Sequence, residues 1–97
     1  MADYDTQVLE QAYQAMYLID LRYRQANLKD KVKLQSDRDE AFSGLMAARI
    51  KLLEDGMICT KQDVAKMAEL KEEIRQAAQT QTLLKAMDGV VKLLDIF

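Results

Sequence analysis

Cys59 is the only cysteine in this chain of 97 residues, and no His accompanies it. A catalytic thiol needs a neighbouring base or cation to form thiolate near neutral pH. The missing His therefore closes Cys-His and Ser-His chemistry, most zinc sites and the Glu-x-x-His di-iron motif. Glu69, Glu72 and Glu73 gather three carboxylates at helical spacing. Without a nitrogen ligand they read as a solvated face paired with Lys66 and Arg75. Asp37-Arg38-Asp39-Glu40-Ala41 begins like a calcium loop, but Ala41 holds the fifth position and no Gly holds the sixth. The three glycines form no phosphate-cradling loop. The expectation is a protein that is not an enzyme and carries no metal or cofactor.

Binding is the remaining chemistry. Arg22, Arg24, Lys29, Lys31, Lys33 and Arg38 face only Asp30 and Asp37 in the segment 22–38. Such a cluster could meet nucleic-acid phosphates. These bases flank the apolar positions Leu21, Leu28 and Val32 on both sides rather than forming one face. That pattern suits stems covering the edge of a helix seam, with heads paired to acids on a neighbour. Residues 1–21 carry four acids and no bases, so they are the obvious neighbour. All four Tyr lie in the first quarter of the chain, with Tyr13 and Tyr17 one helical turn apart. Tyrosines of this kind serve interfaces or the rim of a core.

Thr60-Lys61-Gln62-Asp63-Val64-Ala65-Lys66-Met67-Ala68 resembles the first helix of helix-turn-helix repressors, through the pattern Asp-Val-Ala-x-x-Ala. The resemblance covers nine residues and implies DNA reading by a second helix. The family's glycine turn is absent after Ala68, and Glu72 and Glu73 would stand at the start of the reading helix.

These residues must sit on helices. The chain has no Pro, few Gly, and an abundance of Leu, Ala, Gln, Lys, Glu and Met. Gly56 suits a helix end with positive φ, with Met57 supplying the accompanying apolar contact. Thr60 and Asp63 form a capping box, and Cys59 and Val64 a hydrophobic staple. One helical half therefore spans 5–55, a turn 56–60, and a second half 61–96. Within the first half, Val8, Leu9, Ala12, Met16, Ile19, Tyr23 and Ala26 repeat at helical spacing. A second set, Leu21, Leu28, Val32, Phe42, Met46, Ile50 and Leu53, points to the opposite side. Either the helix breaks within 27–38, with Ser36 and Asp39 favouring 35–37, or one helix of about 70 Å needs partner chains to cover it. Ala41, Ser43, Gly44, Ala47 and Ala48 form a small-residue patch that permits close helix approach. Thr80 or Thr82 could cap a last helix, inside which Gly89 is tolerated.

The sequence thus predicts one all-α domain over 1–97: an antiparallel helical hairpin or a three- to four-helix bundle completed by oligomerisation. Its expected role is a helical protein–protein interaction module such as an adaptor, small chaperone or assembly subunit. The partner is another protein or a second copy, with a dimer favoured. The expected interface is Tyr13, Tyr17, Leu21, Leu28, Val32, Val91, Leu94 and Phe97. The alternative is a nucleic-acid-associated regulator using 22–38 or the helix beginning at Lys61. The acidic first residues and the lack of a long apolar run lead to a cytoplasmic expectation, with signal-free secretion left open. The apolar ending Val90–Phe97 must dock on its own bundle or on a partner.

Overall fold

A computed structural model describes residues 3–56 and 58–97. It contains four helices: α1 (Tyr4–Gln25), α2 (Leu28–Asp55), α3 (Lys61–Gln76) and α4 (Thr80–Asp95). No strand occurs among the described residues. None of these helices is long and apolar enough to cross a membrane.

Local chemistry sets most of the boundaries. The Asp3 carboxylate caps α1 by accepting from the Asp5 N–H at 2.9 Å. The chain then breaks at Ala26 and Asn27, where Asn27 Oδ1 accepts from the Asp30 N–H at 2.9 Å. This corrects the expected position of the break. Ser36 lies inside α2, and its hydroxyl reaches Glu40 at 3.5 Å instead of capping a helix. Gly56 ends α2 with φ 65° and ψ 156°, a region that essentially only Gly adopts. The apolar contact expected of Met57 lies outside the described residues. Thr60 and Asp63 form the reciprocal capping box at α3. At α4 the cap position is Gln79, without a side-chain bond, so neither Thr80 nor Thr82 plays the expected part.

The four helices close into a bundle in which α1 packs on α2 and α3, and α4 packs on α2 and α3. Among the described residues no Cα of α2 comes within 8 Å of one in α3, so these two helices are diagonal neighbours in the bundle. Consecutive helices run in opposite directions. Hence α1 lies parallel to α3, and α2 parallel to α4.

The core contains Val8 and Ile19 from α1, Leu34 and Leu45 from α2, Met67 and Ile74 from α3, and Met87 and Val90 from α4. Two glycines lie where helices meet. A Cβ on Gly89 would stand 2.6 Å from Leu70 Cδ2, so the buried Leu70 side chain of α3 packs over this glycine and would have to shift to admit one. Gly44 faces Leu94, and Ala41 and Ala48 beside it are buried, while Ser43 and Ala47 are exposed. Part of the small-residue patch thus meets α4.

Candidate association surface

Helix α2 is apolar on two separate sides. Leu34, Ala41, Leu45, Ala48 and Leu52 are buried against the bundle. At about 100° per residue, Leu28, Val32, Phe42, Met46, Ile50 and Leu53 fall roughly 80–160° round the helix from Leu34. Five of these six are exposed: Leu28 by 79%, Leu53 by 71%, Val32 by 68%, and Phe42 and Ile50 by more than half. Met46 is half-buried. The row touches both ends of the helix, with the exposed Gln35 and Asp39 between Val32 and Phe42, and exposed apolar side chains gathered in this way mark association sites.

Helix α1 extends this surface. Tyr13 and Tyr17 are exposed, Tyr17 by 67%. They stand on a ridge between two grooves. One groove, about 680 Å³, lies between α1 and α2 and is lined by Met16, Asp20, Arg38, Phe42 and Met46 besides the tyrosines. The other, about 480 Å³, lies between α1 and α3 beside Lys71 and Arg75.

Of the residues expected at an interface, Tyr13, Tyr17, Leu28 and Val32 are on the surface, and Leu21 is half-buried. Val91 and Leu94 are not surface residues. They are only 8% and 3% exposed because the apolar side of α4 turns into this chain's own core. Phe97 packs partly against the same core and against the Val8, Leu52 and Cys59 cluster. Of the two docking places open to the apolar tail, the structure uses its own bundle, although Ile96 remains exposed.

The basic segment is largely engaged. The Arg22 guanidinium donates to the carbonyls of Ile74 at 2.8 Å, Arg75 at 3.3 Å, and Ala77. It thereby satisfies carbonyls that the end of α3 leaves orphaned, and its charge suits that helix terminus. Arg24 pairs with Asp20 at 3.0 Å. Arg38 reaches Asp20 at 3.5 Å and Asp39 at 3.3 Å, and lies 4.3 Å from the Tyr23 ring centre. Lys31 approaches the same ring at 5.9 Å. Lys29 and Lys33 are exposed. The helix beginning at Lys61 continues unbroken to Gln76, so no helix-turn-helix corner follows Ala68.

At the opposite end of α1, the buried Asp5 carboxylate accepts from the backbone N–H groups of Cys59 at 2.7 Å and Ile58 at 3.3 Å. Burial, the hydrogen bond to Asp5 and the charges of Asp5, Asp63 and Asp3 push the Cys59 thiol up to about 12. It is a protonated, buried group at neutral pH, unlike an activated nucleophile. No group of three or more metal-ligating side chains gathers among the described residues.

Sequence patterning marked Phe42, Met46, Ile50 and Leu53 as an apolar set without naming them as interface. The signal that distinguishes them was present: their row lies well round the helix from a second apolar row that begins at Leu34. A helix needs only one such row to join a bundle. No protein-family model, curated protein or solved structure matches this chain.

Proposed function

We propose that this chain is a non-enzymatic helical interaction module, an adaptor, small chaperone or assembly subunit, that binds protein partners through the outer row of α2 and the tyrosines of α1. One observation carries the reading: Leu28, Val32, Phe42, Ile50 and Leu53 of α2 are large apolar side chains that its own bundle leaves in water. Apolar surface releases about 25 cal/mol per Å² when covered, so such a row favours association. The neighbouring grooves offer side-chain-sized recesses for a partner helix. Charged residues along the rim, Lys29 and Glu54 among them, supply register and selectivity. The nucleic-acid reading has less support, because Arg22, Arg24, Lys31 and Arg38 have partners within the fold.

The test is affinity capture of the tagged protein from its native cell, with wild type compared against Phe42→Asp. At least one protein, which can be an untagged copy of this chain, is expected to co-purify with wild type and drop about tenfold or more with the variant. Identical sets of bound proteins, with the variant folded by circular dichroism, would contradict the proposal.

A further inference from the structure

We infer that the outer row of α2 pairs with the same row of a second copy, running antiparallel about a two-fold axis between residues 40 and 41. This rests on the interaction reading above and names its partner. The seam takes Leu28, Val32, Phe42, Met46 and Leu53 of that row together with the polar Gln35, Asp39 and Arg49, and leaves Ile50 at its edge; these eight positions alternate steps of four and three residues. That is the 3.5-residue repeat of a two-helix seam. Its spacing also matches its own reverse, with Leu at both ends. Antiparallel pairing sets Leu28 against the other copy's Leu53, Gln35 against Met46, and Asp39 against Phe42. The two ends, which carry the most exposed side chains, thus close on each other.

Charge favours the same direction. Lys29 and Glu54 are exposed on the same flank at opposite ends of the row. Antiparallel pairing, whose two-fold axis keeps equal flanks on the same side of the seam, brings each beside the other, whereas parallel pairing would carry the two flanks to opposite sides and leave both charges unpaired. Asp39, carried into the seam, brings its own counter-charge, since Arg38 lies 3.3 Å away. The Arg49 stem can cover Val32 while its head stays in water. The exposed parts of Leu28, Val32, Phe42 and Leu53 come to on the order of 500 Å² per copy, at roughly 180 Å² per large side chain, and Ile50 and Tyr17 at the edge add about 200 Å². A standard stable interface takes about 800 Å² from each partner. A self-matching patch is what a two-fold dimer requires.

Light scattering and sedimentation of the purified chain test this with two charge variants. Wild type is expected at twice its 11.1 kDa mass. Leu28→Glu alone and Leu53→Lys alone are expected to be monomeric at about 10 µM, each retaining its helical melt because both positions are solvent-exposed. A 1:1 mixture is expected to dimerise at least about tenfold more tightly than either variant, since one end then pairs Glu with Lys and the other Leu with Leu. As a second readout, Leu28→Cys and Leu53→Cys chains are expected to form the mixed disulfide in preference to either symmetric one. Wild type that stays monomeric to about 100 µM, or a mixture no tighter than its components, overturns the pairing. If wild type is monomeric yet Phe42→Asp still loses a captured protein, self-pairing fails and the interaction reading stands. If capture is also unchanged, both fail.

Discussion

Arg22 and Asp5 show how single side chains of α1 hold α3 at both ends. Asp5 holds the backbone leading into α3, and Arg22 holds the carbonyls at its far end. An acid at the start and a cation at the finish both match the α3 dipole. They also offset the unfavourable alignment of two parallel helices. Arg22→Gln is expected to lower stability by about 2 kcal/mol, as for a lost charged hydrogen bond, in chemical denaturation. Arg22→Lys is expected to restore only part, because an ammonium lacks the planar fork that spans several carbonyls. A loss no larger than that of Arg24→Gln would remove Arg22 from this role. Patterning along the chain could not reveal it, because the partner carbonyls lie 52 to 55 residues away. The Thr60–Asp63 box spans only three residues, and it was legible for that reason.

Among the elements, helix identity was legible and helix faces were only partly so. The buried side of α1 follows its 3–4 spacing through Val8, Ala12 and Ile19. In α2 two apolar rows compete, and the more conspicuous one is the exposed one. The true core row is diluted by Ala41 and Ala48, whose small side chains bury little area but let α4 come close. The break was placed too late because Ser36–Asp39 and Asn27–Asp30 offer the same capping chemistry, and only tertiary packing chooses between them. The two interior glycines separate propensity from packing. Gly44→Ala is expected to stabilise by about 0.5–1 kcal/mol, since the new Cβ meets Leu94 Cβ at an ordinary 3.6 Å and the helix gains propensity. Gly89→Ala is expected to destabilise by about 1 kcal/mol net, because displacing the buried Leu70 exceeds that gain. Denaturation midpoints of the two variants should move in opposite directions. Movement in the same direction would contradict the packing of Leu70 over Gly89.

On the scale of the whole molecule, composition alone indicated an all-helical chain, whereas the topology was out of reach. The parallel pairing of α1 with α3 follows from the diagonal placement of α2 and α3, and local periodicity carries no record of which helices become neighbours. The molecule measures 43 × 21 × 17 Å, and α2, at about 42 Å, runs its full length. Helices α3 and α4, with 16 residues each, reach about 24 Å. They complete a core on one side of α2 and leave its other side bare. Hydroxyl-radical footprinting tests most directly whether that bare side is covered when the protein works, whatever covers it. Phe42, Met46 and Leu53 should be modified rapidly in the isolated, dilute chain and about fivefold or more slowly in native-cell extract, while Ile96, outside the row, reacts equally in both. Equal modification of the α2 row in the two states would contradict its role as an association surface.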